Sequence, residues 1–133
     1  MSNIMKSIFF TFFTCCLIFL FQIDMQAQGK STLVKSVPAE SPSVVIDIPG
    51  EIKTSSWDSD YIRITLTIEL TNNTEDILKK LVSVGRYDFK STIENGTQTI
   101  TIPKLAQKVT IKGVDLIEKM NIEVMLPYGT KTN

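Results

Sequence analysis

The sequence predicts a mainly β fold with one inserted helix near 74–84, carried behind an N-terminal signal helix. Three observations carry this prediction. In Tyr61–Leu70, the side chains Ile62, Ile64, Leu66, Ile68 and Leu70 share one face, while Tyr61, Arg63, Thr65, Thr67 and Glu69 share the other. Such a two-residue period, rich in β-branched residues, marks a strand with one buried face. Asn95-Gly96 sits between two further strand-like runs, and this pair supplies the positive φ angles that a tight hairpin turn needs. Finally, Lys6 is followed by the uncharged apolar run Ser7–Phe21, the layout of a secretory signal.

The signal is expected to cover residues 1–27. Met25-Gln26-Ala27 places a small residue before Gln28, so the cut is expected between Ala27 and Gln28, although Met25 departs from the small-x-small pattern. An uncleaved anchor is the competing reading. A spanning helix needs about 20 apolar residues, and the run between Lys6 and Asp24 is shorter. A lipid anchor needs a Cys at the end of the apolar run, whereas Cys15 and Cys16 lie inside it. The expectation is therefore an exported chain, whether periplasmic, at the cell surface or secreted. Its one membrane attachment would be an uncleaved signal.

Both cysteines of the chain fall in the signal and the chain has no histidine. The exported part is then held by its core alone, although export permits disulfides. With residues 1–27 removed from 133, it is long enough for one small domain. Removing Lys6 and Asp24 from 14 basic and 14 acidic residues leaves 13 of each. That neutral balance offers no field for nucleic acid or an anionic membrane surface.

Residues 28–43 are polar, with Pro38 and Pro42, and read as a flexible N-terminal segment containing one short strand at 32–37. The β-rich domain is expected over 44–133. Val44–Ile48 and Ile52–Thr54 read as short strands joined at Pro49-Gly50. Tyr87–Ile93 and Thr97–Ile102 read as the hairpin about Asn95-Gly96, Lys108–Lys112 as another strand, and Leu116–Leu126 as a last long one. Asn73–Gly85 breaks the β pattern. Ile77, Leu78, Leu81 and Val82 form a helical stripe, Asn73 or Thr74 suits the cap, Glu75 and Asp76 suit the positive end, and Gly85 suits the stop. This helix is expected to cover part of the sheet's apolar face. Ile46–Ile52 and Val124–Thr130 echo each other as strands ending in Pro with Gly close behind. Such punctuation recurs in stacked β arrays, so the fold is expected to be stacked short strands, either solenoid-like or a sandwich. The second copy runs to Asn133 with no expected strand after it, leaving an open edge near Leu116–Leu126.

Val45-Ile46-Asp47-Ile48-Pro49-Gly50-Glu51-Ile52-Lys53-Thr54 and then Trp57-Asp58-Ser59-Asp60-Tyr61-Ile62-Arg63-Ile64 resemble the adhesin-type domain family of exported bacterial proteins, a domain of unknown function. Gly85-Arg86-Tyr87 and Thr110-Ile111-Lys112-Gly113-Val114 are similar to a Gram-negative subgroup with a helical insert. The likeness spans about 44–130. It implies a β-solenoid-like fold outside the cytoplasm. Full members run through more strand repeats, so the resemblance implies a domain shortened at its C-terminal end.

Trp57 with Asp58 and Asp60 is the candidate ligand contact, because an exposed Trp beside carboxylates stacks on a sugar ring and accepts its hydroxyls. The bland alternative, which the residue types favour, is a turn shaped by the aspartates with Trp57 covering the edge of a small core. Calcium is disfavoured, since Ile62 and Arg63 occupy positions where oxygen donors are needed. A carboxylate pair for glycoside hydrolysis among Glu51, Asp58, Asp60 and Glu69 rests on residue type alone. The missing His removes Ser-His and Cys-His nucleophiles, and zinc lacks its usual ligands. No cofactor is expected. Asn72-Asn73-Thr74 and Asn95-Gly96-Thr97 match the glycosylation sequon but read as turn chemistry, and the Thr97, Thr99, Thr101 run as a solvated strand face. The expected function is non-catalytic binding of protein or polysaccharide at the cell envelope. The alternatives are assembly, including self-association, through an open strand edge, and a small carboxylate-dependent hydrolase.

Overall fold

The alternating segment becomes the longest strand, and the molecule is assembled around it. The computed structural model describes residues 28–133. The expected signal segment 1–27, with the Ala27 side of the expected cut, lies outside the described residues. In chain order the elements are β1 (Gln28–Pro38), β2 (Ser43–Asp47), β3 (Glu51–Trp57), β4 (Tyr61–Thr74), α1 (Glu75–Ser83), β5 (Lys90–Glu94), β6 (Thr97–Thr101), a 3-10 turn at Pro103–Ala106, β7 (Thr110–Ile111), β8 (Val114–Asp115), β9 (Glu118–Pro127) and β10 (Lys131–Thr132). The fold is mainly β, with one α-helix and no closed barrel among the described residues.

One four-stranded sheet has the order β1-β4-β9-β3 and a second the order β10-β2-β6-β5, with β7 and β8 forming a small hairpin. In the first sheet β4 is antiparallel to both β1 and β9, while β3 lies parallel to β9. In the second, β2 is parallel to β6 and to β10, and β5 is antiparallel to β6. Ile62, Ile64, Leu66, Ile68 and Leu70 of β4 are all fully buried and share one core with Ile122 and Val124 of β9 and Val44 and Ile100 of the second sheet. Each such side chain contributes roughly 1.5–3 kcal/mol by leaving water.

The helix forms where the apolar stripe predicts it. Leu78 and Leu81 enter the core, and Glu75 and Asp76 sit in the first turn. Thr74 holds the N-cap position without a side-chain cap bond, and Asn73 instead bonds Asn72. At the exit Gly85 has φ +75°, its N–H donates to the Val82 carbonyl, and the Arg86 N–H donates to Leu81. That 6→1 and 5→2 pair is the Schellman arrangement, which needs a residue at ease with positive φ. Asn95 and Gly96 take φ 50° and 74°, as their hairpin requires.

Several boundaries differ from the sequence reading, each for a physical reason. Residues 28–38, expected as part of a flexible segment with a strand only at 32–37, form one strand that pairs along β4 from Gln28↔Thr74 to Pro38↔Tyr61. The β-rich unit therefore begins well before residue 44. Lys108–Lys112 shrinks to Thr110–Ile111 paired with Val114–Asp115. The strand expected over Tyr87–Ile93 spans only Lys90–Glu94, and Tyr87 lies before it, buried in the core. The edge expected near Leu116–Leu126 is absent, since β9 is flanked by β4 on one side and β3 on the other. The segment after the second Pro-x-Gly turn does contain a strand, β10, paired with β2 through Lys131↔Ser43.

Candidate functional site

The turn between β3 and β4 holds the residues singled out by sequence. Trp57 ends β3 opposite Pro127, and Tyr61 opens β4 opposite Pro38. The Trp57 indole N–H donates to the Tyr61 carbonyl at 2.8 Å, and the Tyr61 N–H donates to the Ser59 hydroxyl at 3.3 Å. The half-buried Trp57 thus braces the turn. Ser59, not either aspartate, closes it with a side chain. Asp58 and Asp60 are both exposed. Asp60 contributes its carbonyl, which accepts from the Ala39 N–H at 3.0 Å.

Asp60 also lines an open groove of about 440 Å³ formed with residues 39–42 and 127–130. Trp57 and Asp58 are not part of that lining. The structure therefore separates the three candidate residues, leaving Asp60 in the groove and Trp57 in the turn behind it. Among the described residues no group of three His, Cys, Asp or Glu side chains is placed to hold a metal ion.

Two buried polar clusters were invisible to sequence reasoning. Arg86 is 6% exposed. Its Nε and Nη2 donate to the two carboxylate oxygens of Glu118, each at 2.8 Å, and its Nη1 donates to the Lys104 and Gln107 carbonyls at 3.1 Å. The Tyr87 hydroxyl donates to Glu118 at 2.6 Å. Burial pushes the Glu118 carboxyl up, but the hydrogen bonds from Arg86 and Tyr87, with the guanidinium charge, outweigh it and hold the acid below its usual range. Burial and the neighbouring carboxylate drive the Tyr87 phenol well above its ordinary value. Each buried nitrogen and oxygen of these side chains has a partner, so the cluster clamps the helix exit to the 3-10 turn and the start of β9. The second cluster centres on Gln98, which is fully buried in β6. Its amide donates to the Pro38 carbonyl and the Ser91 hydroxyl, and its oxygen accepts from the Glu40 N–H. Gly85-Arg86-Tyr87 stood out in the sequence, but nothing there points to a carboxylate 32 residues away.

The strand edges differ in how they are protected. β10 is two residues long, and β5 is five with Lys90 and Glu94 at its ends. β1 carries Lys30, Lys35 and Pro38. Short length, lysine and proline are the usual defences of an edge. β3 runs seven residues, with Glu51 and Lys53 confined to its first half, and ends in the uncharged stretch Thr54-Ser55-Ser56-Trp57. No residue of β3 is fully buried on either face, so it overhangs the core.

No helix among the described residues is long and apolar enough to cross a membrane. No family model, curated protein or solved structure matches this chain.

Proposed function

We propose that this chain is a non-catalytic exported envelope protein that works by binding another protein along the open edge of β3. The carrying observation is that strand: seven residues, paired on one side only among the described residues, with an uncharged second half and no buried face. An extended segment laid beside β3 gains backbone hydrogen bonds for affinity, and the small Thr54, Ser55 and Ser56 side chains leave room for the partner's larger ones. The signal-like start at residues 1–27 motivates export. The non-catalytic reading is supported by Glu118, whose carboxylate is fully engaged by Arg86 and Tyr87. Asp58 and Asp60 are both exposed, and among the described residues neither side chain is bonded to a second catalytic-type group.

We also read the fold as solenoid-like rather than a plain sandwich. The step β2→β3 stacks in parallel on the step β6→β9, and β10 continues the stack on β2. The antiparallel strands β1, β4 and β5 then act as a cap at one end, leaving β3 and β10 at the other. That arrangement accords with the adhesin-type resemblance over about 44–130.

Site-specific photo-crosslinking in the native envelope tests the edge. A probe at Ser55 should give one discrete adduct, and a probe at Thr92 in β5 should give none. A smear from both positions, or no adduct from Ser55, contradicts the proposal. An adduct of twice the chain mass identifies the partner as a second copy.

A further inference from the structure

Gln98 is a polar side chain at an apolar position. It alternates with Ile100 on the inner face of β6, opposite Val44 of β2, and is fully buried. A buried amide without partners is destabilising, and a Leu or Met here would avoid that risk. What Gln98 supplies instead is a fixed course for the loop after β1, through the Pro38 carbonyl at 3.0 Å and the Glu40 N–H at 2.9 Å. The same loop is pinned twice more. The Ser41 hydroxyl donates to the Gly96 carbonyl, and the Lys131 N–H donates to the Pro42 carbonyl. The facing turn is held by Thr130, whose N–H and hydroxyl both donate to the Pro127 carbonyl. Its apex projects Tyr128 into solvent at 72% exposure. The third wall, at Asp60, is braced by Trp57 and by the Ala39 N–H.

Three loops, each tied down by hydrogen bonds to the strands or turns around it, wall one groove. Its size falls in the range of small-molecule sites. Its chemistry is an exposed aromatic ring, two prolines, the carboxylates of Asp60 and Glu40, and the hydroxyl residues Ser41 and Thr130. An aromatic face takes the C–H face of a sugar ring, and carboxylates accept hydrogen bonds from its hydroxyls. Two carboxylates with no cation in the lining disfavour an anionic sugar.

We propose that the groove between residues 39–42, Asp60 and 127–130 binds a neutral oligosaccharide, with Tyr128 as the stacking platform, Asp60 as hydroxyl acceptor and Gln98 as the positioning residue for the 38–42 loop. This inference is independent of the β3 edge, and each fails or survives alone. Calorimetric titration of the protein with cellohexaose, maltohexaose and chitohexaose tests it, with oligogalacturonate as the anionic comparison. At least one neutral hexasaccharide should bind and the uronate should not. Tyr128→Ala and Asp60→Asn, both at exposed positions, should each weaken binding about tenfold or more, on the order of 1.4 kcal/mol, with an unchanged melting temperature. Gln98→Met should weaken binding and speed amide exchange at Glu40 while leaving the β4 amides protected. No binding of any neutral hexasaccharide up to about 10 mM, weaker than useful recognition, overturns the proposal. So does equal binding of the uronate, or binding indifferent to both Tyr128→Ala and Asp60→Asn.

Discussion

Removing the Glu118 carboxylate should destabilise this protein more than any other single surface-adjacent change. In Glu118→Ala the Arg86 guanidinium keeps its two carbonyl partners but loses both carboxylate oxygens, while remaining 6% exposed. The buried Tyr87 hydroxyl loses its acceptor as well. Breaking one side of a buried pair costs roughly 3–5 kcal/mol, because an uncompensated charge is left behind. A domain of this size has about 5–15 kcal/mol in total, and each kcal/mol shifts the melting temperature by roughly 4–8 °C. The expected loss is therefore on the order of 12–40 °C, read by circular dichroism and checked by urea unfolding. The double variant Arg86→Met/Glu118→Leu removes both charges and should recover part of that loss, since apolar replacement of a buried pair is often tolerated. A loss under about 1 kcal/mol in Glu118→Ala, in the range of a surface ion pair, would refute the clamp. A double variant worse than the single would also refute it.

The same cluster sets a pH dependence. Glu118 has its folded pKa depressed below the ordinary value of 4.5, so its contribution is present above that value and is lost as pH falls through the folded one. The stability gap between the wild type and Glu118→Gln should be full near neutrality and close progressively below about pH 4.5; a gap that widens in acid contradicts this sign. Gly50 opens β3 at φ +132°, and an added Cβ would sit 2.6 Å from the Met120 carbonyl oxygen. Gly50→Ala should cost about 1–3 kcal/mol and loosen β3 from β9, measurable as faster amide exchange there. Leu66→Ala, fully buried in β4, should cost about 2–5 kcal/mol in urea unfolding. Mass spectrometry of the exported protein should show a chain starting at Gln28; an intact residue 1–27 segment would mean an anchored form.

The parts of the fold that announce themselves locally were legible. The β4 alternation, the Asn95-Gly96 turn and the helix with its Gly85 stop each carry their signal within a few residues. β1 shows in the sequence only at 32–37 because it is an edge strand with an outer face in water: Gly29 is buried, and otherwise only Ser31, Leu33 and Val37 are even half-buried. The residues mark β9 as a strand but not as an interior one, flanked by β4 and β3. Its Met120, Ile122, Val124 and Leu126 face the core whether or not a neighbour lies beyond, so one-sided alternation does not report position in a sheet. β3 extends past the strand-like Ile52–Thr54 because it overhangs the core, and no burial imposes a pattern on Thr54-Ser55-Ser56. At the candidate site, the residue types point to a turn shaped by Asp58 and Asp60 with Trp57 over a core edge, whereas Trp57 braces the turn and Ser59 closes it, contacts that residue type does not encode. Asp60 joins the groove only because β1, β4 and β9 end together. Gln98 and the Arg86–Glu118 pair depend on contacts across 60 and 32 residues, which no local spacing encodes.

Residue-resolved amide exchange along β3 tests the central claim most directly. In the isolated protein, amides of Glu51–Trp57 bonded to β9 should exchange slowly, and those pointing away should exchange fast, alternating along the strand. Adding the partner recovered from the Ser55 crosslink should slow the second set and leave β5 unchanged. Uniform protection of β3 before any partner is added, or exchange that the partner leaves unaltered, would contradict an open binding edge.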